Sequence, residues 1–117
     1  MNKIYYLSSC STCARIIEEL NLRTKKFIFQ DIKTEKITAA QLLDMKKMAG
    51  SYEALFSRVA LKYRALGLYK KKNLTDDDYK KYILEEYTFL KRPVIIIGNK
   101  IFIGNSKSNI AQAKAEL

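Results

Sequence analysis

Ser9-Cys10-Ser11-Thr12-Cys13-Ala14-Arg15 holds the chain's only two cysteines, three positions apart. The run before it, Lys3-Ile4-Tyr5-Tyr6-Leu7-Ser8, is apolar and aromatic and reads as a strand. After it, Cys13, Ile16, Ile17 and Leu20 recur at helical spacing and leave Arg15, Glu18 and Glu19 on the wet side. A first helix is therefore expected from Thr12 to Asn21. Cys10 then stands where the chain turns into that helix, facing its unpaired N–H groups and the positive end of its dipole. Such a setting favours thiolate over thiol and can bring a cysteine pKa down to roughly 3.5–7.5. Cys13, one turn on, is within disulfide reach, so a nucleophile with a resolving partner is expected.

Other readings of the pair stand beside this one. CxxC is also half of a zinc site, but tetrahedral zinc needs four ligands, and the chain has no histidine and no third cysteine. No metal is expected. Both cysteines could instead pack in a core; Cys13, on the apolar stripe, fits that role, whereas Cys10, in a Ser-rich turn, does not. A purely structural disulfide would add little, because so short a closure removes little entropy from the unfolded chain. Ser8, Ser9 and Ser11 are expected to cap or satisfy the turn. With no histidine to act as base, Ser–His nucleophilic chemistry is closed.

Outward from this turn, Phe27-Ile28-Phe29-Gln30-Asp31-Ile32 reads as a second strand, parallel to the first because a helix joins them. Thr38 should cap a helix running to about Met48, with Leu42, Leu43, Met45 and Met48 on its apolar side and Gly50 closing it. Tyr52 to Leu66 reads as mostly helical, interrupted near Phe56-Ser57-Arg58. Thr75-Asp76-Asp77-Asp78 is a helix start with acidic residues in the first turn, better explained as a cap than as metal ligands. That helix should run to about Glu86 and bury Tyr79, Tyr82 and Ile83.

Arg92-Pro93 then leads into Val94-Ile95-Ile96-Ile97, a strand suited to cover on both faces. Gly98-Asn99 is a hairpin turn into Lys100-Ile101-Phe102-Ile103, and Asn105 or Ser106 should cap a last helix to Leu117. The expected fold is α/β, in the order β-α-β, helical insertion, β-β-α, with a mixed four-stranded sheet. Without the insertion this is the thioredoxin-fold order. One domain over 1–117, with the insertion at about 36–90, is expected.

At 117 residues and 48% apolar content the chain can bury a core without staples. It has no apolar run of transmembrane length and no signal-peptide layout, so a cytoplasmic protein with no membrane partner is expected. The net charge of +10 comes from 22 Lys and Arg scattered along the chain, some in pairs such as Lys25-Lys26, Lys46-Lys47 and Lys80-Lys81; the one compact run is Lys70-Lys71-Lys72 beside Tyr69. No nucleic-acid-binding signature accompanies it, so a solvated surface or the steering of anionic substrates and acidic partners is expected, without direct nucleic-acid binding.

Four segments resemble the arsenate reductase C/Spx-like family of the thioredoxin-like superfamily: Cys10-Ser11-Thr12-Cys13, Gly50 to Arg58, Lys91-Arg92-Pro93-Val94-Ile95, and Ile101-Phe102-Ile103-Gly104. The resemblance spans essentially the whole chain. It implies that Cys10 is the nucleophilic cysteine, that Arg92 and Arg58 bind an anionic substrate, and that Pro93 is cis and faces the CxxC turn, with Ser11 and Thr12 structural at the site. It implies a thiol-dependent oxidoreductase acting on an arsenate-like oxyanion or a thiol adduct. The external reductant would be glutathione with glutaredoxin, or thioredoxin, with no bound cofactor and a monomeric protein.

Three positions differ from the arsenate reductases of the family. Tyr6-Leu7-Ser8-Ser9 replaces a His-Asn-Pro-x approach to the nucleophile, Gly104 stands where they have a third arginine, and Cys13 stands where they usually have serine. Cys13 and Gly104 are more like the Spx branch. That similarity implies an alternative, a redox-sensing transcriptional regulator that binds the RNA polymerase α-subunit without turnover.

Overall fold

A computed structural model describes residues 1–117. The chain divides into two compact units, one made of Met1–Lys36 with Arg92–Leu117, the other of Ile37–Lys91.

The first unit is built on four short strands, β1 (Asn2–Tyr6), β2 (Ile28–Asp31), β3 (Val94–Ile97) and β4 (Lys100–Ile103), in the order β2-β1-β3-β4. β1 runs parallel to β2, with Lys3 opposite Ile28, and antiparallel to β3, with Ile4 opposite Ile95. β3 and β4 form the expected hairpin, with Ile95 opposite Phe102. The sheet is therefore mixed and the fold is α/β. β1 and β3 are the inner strands, which is why their side chains stay apolar at successive positions: Ile4, Tyr5, Val94, Ile95 and Ile96 are all buried.

Two helices belong to this unit, α1 (Ser11–Glu19) and α5 (Lys107–Ala115). Ile16, Ile17 and Leu20 from the first helical segment and Ile110 and Ala113 from the last share one core with Ile4, Ile95 and Phe102. Burying each such aliphatic side chain stabilises the fold by about 1.5–3 kcal/mol before the cost of ordering it. α1 ends when the Lys25 ammonium donates to the Leu20 carbonyl at 2.9 Å. Ser106, not Asn105, caps α5: its hydroxyl accepts the Asn109 N–H at 3.1 Å.

The second unit contains α2 (Ala39–Ala49), α3 (Leu61–Ala65) and α4 (Asp76–Glu85), joined by single 3₁₀ turns. α2 has the expected cap, with Thr38 and Gln41 bonding each other's backbone N–H groups, and it stops at Gly50, whose φ of +97° suits a residue without a Cβ. Leu42 and Met45 are buried, but Leu43 is 40% exposed and does not serve the core as expected. Tyr79 and Ile83 of α4 are buried as expected, whereas Tyr82 is only half-buried.

The stretch from Tyr52 to Leu66 is not mostly helical. It holds a 3₁₀ turn at Glu53–Leu55, an extended passage at Phe56 and the five-residue α3. Side chains explain the break. Both carboxylate oxygens of Asp76 accept backbone N–H groups here, from Tyr52 at 3.1 Å and Glu53 at 3.0 Å, and the Ser51 hydroxyl accepts that of Ala54. Phe56 then pairs with Leu90 in an isolated antiparallel bridge, flanked by Ser57 N–H to the Phe89 carbonyl at 2.7 Å and Lys91 N–H to the Leu55 carbonyl at 2.9 Å. Its ring stacks on Phe89 at 5.0 Å and meets Tyr79 at 4.9 Å, forming the aromatic centre of the unit.

Candidate functional site

Cys10 is the N-cap of α1, in extended backbone just before the first helical residue, Ser11. Its amide donates to the Leu7 carbonyl at 3.1 Å, and its own carbonyl accepts the Ala14 N–H at 3.1 Å. These two bonds close the turn from β1 and aim the side chain back at the orphan amides of the first helical turn. The sulfur takes the place of a capping oxygen, accepting the Cys13 N–H at 3.4 Å. None of the three nearby serines has that task. Ser8 donates its hydroxyl to Asp31 Oδ2, holding that carboxyl below its ordinary pKa, and Ser9 and Ser11 are exposed.

The two thiols are both free and unlike in character. Partial burial works against ionising Cys10, but it is outweighed. The Cys13 N–H and thiol, the Thr12 N–H and the positive charge of Arg92 all favour the thiolate, so the Cys10 pKa falls below the ordinary value of 9.0. Cys13 lies in the core, and its loss of solvent, followed by the neighbouring Cys10 sulfur, pushes its pKa up to about 11. The Cys10 sulfur is biased towards the thiolate, while Cys13 keeps its proton and donates to it.

Arg92 and Pro93 belong to the same unit as the thiols. The Arg92–Pro93 bond is cis, Pro93 is buried, and the Arg92 charge acts on both sulfurs. The Pro93 carbonyl accepts the Gly104 N–H at 2.9 Å, and the Gly104 carbonyl accepts from the Asn109 side-chain amide at 2.8 Å. Gly104 and Asn109 thus tie the proline loop to the start of α5, a support that the sequence reading missed. The available signal was the Gly-Asn-Ser run between β4 and α5, and Gly104 has a φ of +89°, which an arginine would adopt only under strain.

Arg58 belongs to the other unit. There its Nη2 contacts Glu53 Oε2 at 2.7 Å and donates to the Tyr79 hydroxyl at 3.1 Å, while its guanidinium lies 5.5 Å from the centre of the Tyr79 ring. Its charge is thus already met by a carboxylate. No three Asp, Glu, His or Cys side chains come together as a metal site would require.

The match of the ArsC family model covers residues 5–113. Among solved structures, a Streptococcus mutans protein described as a possible arsenate reductase is 27% identical over 92% of each chain, with a TM-score of 0.73. A Staphylococcus aureus protein solved in solution is 25% identical over 96% of this chain and 97% of its own, with a TM-score of 0.77. The arsenate reductase from Vibrio cholerae has the same fold at 16% identity, over 99% of this chain and 97% of its own, with a TM-score of 0.80. No curated protein sequence matches the chain. A family match over nearly the full length, with the cysteine turn and the Arg-Pro strand start both inside it, makes the chain a member of the ArsC family.

Proposed function

We propose that the protein is a thiol-dependent oxidoreductase in which Cys10 is the nucleophile, Cys13 the resolving thiol and an arsenate-like oxyanion the substrate. Membership of the ArsC family supports the reaction class. The observation that carries the roles is the asymmetry of the two thiols, Cys10 capping α1 with a lowered pKa and Cys13 buried with a raised one.

In the first step the Cys10 thiolate attacks arsenic(V); an S–As bond forms and an oxygen leaves as water after protonation. Arg92 neutralises the anion as it approaches, since a planar guanidinium matches two oxyanion oxygens at once. Once Cys10 is esterified its negative charge is gone. In the second step Cys13 loses its proton and attacks the Cys10 sulfur. The S–S bond forms, the S–As bond breaks, and the electron pair goes to arsenic, which leaves as arsenite. An external thiol, glutathione with glutaredoxin or thioredoxin, then reduces the disulfide. Arg58, the second anion ligand that the family resemblance implies, already pairs with Glu53.

Arsenate-dependent oxidation of the coupled thiol system tests the proposal. Turnover should fall to background in Cys10→Ser, and in Cys13→Ser, with glutathione present and glutaredoxin and thioredoxin left out, a Cys10–glutathione mixed disulfide should accumulate. Turnover that survives Cys10→Ser overturns it.

A second reading rests on the cap itself. Oxidation would convert the sulfur that caps α1 into half of a disulfide, altering the helix start, as a redox-sensing regulator requires. An oxidised form that gains affinity for the RNA polymerase α-subunit, with no turnover, supports that reading instead.

A further inference from the structure

The segment Arg58–Lys72 carries six cations, Arg58, Lys62, Arg64, Lys70, Lys71 and Lys72, with no acidic residue between Glu53 and Asp76 in the sequence; Arg58 pairs with Glu53, and the Lys71 ammonium donates to the Tyr82 hydroxyl at 3.4 Å. The same segment exposes large apolar side chains. Val59 is 91% exposed and Leu61 88%, with Leu66 at 53% and Tyr69 at 51%. Apart from Arg58, the thiol chemistry proposed above uses none of these residues. Cations also gather on the one exposed ring, with the Arg64 guanidinium and the Lys70 ammonium each 5.6 Å from the centre of Tyr69. Basic charge, fully exposed aliphatic tips and an interfacial tyrosine therefore occur together on a short, irregular part of the second unit.

We propose that this segment is a docking surface for an anionic phospholipid bilayer. Three kinds of polyanionic partner are available, and the side chains discriminate among them. A nucleic acid would be met by the cations, but bare Val59 and Leu61 have no task on a phosphate backbone. A protein interface would bury the apolar tips, but lysine is depleted from such interfaces, and the Lys70-Lys71-Lys72 run adjoins the patch. A lipid surface uses both features. Cations sit among the headgroup phosphates, aliphatic tips enter the acyl boundary, and tyrosine sits at the level between them. No helix of the chain is long and apolar enough to cross a membrane, so the association is adsorption.

The test is co-sedimentation of the full chain with phosphatidylcholine vesicles that contain or lack phosphatidylglycerol. Binding should require phosphatidylglycerol and weaken as salt is raised. Removing the triplet charge in Lys70→Gln/Lys71→Gln/Lys72→Gln should cost about fivefold in partitioning per cation, on the order of a hundredfold in all. Val59→Ser/Leu61→Ser keeps every charge, replaces only exposed side chains, and should still cost about tenfold. Failure to sediment with phosphatidylglycerol vesicles overturns the proposal. So does binding that is indifferent to Val59→Ser/Leu61→Ser, or binding to duplex DNA where vesicles are ignored; the last outcome assigns the patch to nucleic acid.

Discussion

The two units of this chain reach order by different routes. In the first, strands distant in sequence pair through their backbones: β1 takes β2 on one side and β3, some ninety residues away, on the other. In the second, side chains take hold of backbone N–H groups, through the caps at Thr38 and Thr75 and through Asp76 on the Tyr52–Glu53 turn. The first arrangement rests on apolar runs; the second rests on single polar residues, the two caps bonding three positions on and Asp76 reaching back more than twenty. A chain organised in both ways should respond differently to the loss of one side chain in each region.

The largest effect should come from the aromatic centre of the second unit. Phe56→Ala removes a fully buried ring that contacts Phe89, Tyr79 and Tyr63 and should cost about 3–5 kcal/mol in urea unfolding. Ile95→Ala, at the middle of the sheet, should cost about 2–5 kcal/mol, with the inter-strand bonds left in place because they are backbone bonds. Amide exchange sharpens the contrast. Phe56→Ala should expose the Phe56–Leu90 bridge to exchange, whereas in Ile95→Ala the β1–β3 ladder should stay protected until global unfolding.

Legibility in the sequence follows the same division. Strand positions, the CxxC helix start and the hairpin at Gly98-Asn99 could be read directly, because each is announced by a local run or a turn pair. Tyr52–Leu66 was misread because its apolar periodicity is real, while the residue that overrides it, Asp76, lies in another element and resembles an ordinary acidic first-turn residue. The site divides likewise. The place of Cys10 at the helix start followed from the alternation of strand and helix alone. That its sulfur would itself be the cap, that Gly104 and Asn109 would tie down the Pro93 loop, and that Arg58 would be engaged by Glu53 depend on contacts that no spacing encodes.

Within the first unit the two thiols can be separated by pH. A lowered pKa means that Cys10 stays ionised to lower pH than a free thiol, so its alkylation rate should be half-maximal below pH 9.0. A raised pKa has the opposite sign. Cys13 keeps its proton past pH 9.0, and its alkylation should still be climbing towards pH 11. At neutral pH the thiolate populations should differ by roughly a hundredfold or more, and after brief iodoacetamide treatment peptide mapping should find Cys10 labelled far ahead of Cys13, whose burial slows its labelling further. In Arg92→Gln the Cys10 midpoint should move upward, since the positive charge favouring its thiolate is gone. Equal labelling of the two cysteines across this range would remove the asymmetry on which the assignment of nucleophile and resolving thiol rests.

The smallest effect tests whether Asp76 or the cap beside it organises the second unit. Asp76→Ala leaves two N–H groups without their carboxylate, that of Tyr52 being half-buried, and should cost about 1–3 kcal/mol. Thr75→Ala removes an ordinary helix cap and should cost about 1 kcal/mol. The energies overlap, so the location of the change decides between them. Asp76→Ala should speed exchange at the Tyr52 and Glu53 amides while the α4 amides beyond the first turn are spared. Thr75→Ala should free the Asp78 amide, whose partner is the Thr75 hydroxyl, and leave Tyr52 and Glu53 as they were. Asp76→Asn, which retains an acceptor oxygen, should fall between wild type and Asp76→Ala at the same two amides. If the Tyr52–Glu53 turn is indifferent to all three exchanges, the break in its helical periodicity arises instead from the pairing of Phe56 with Leu90.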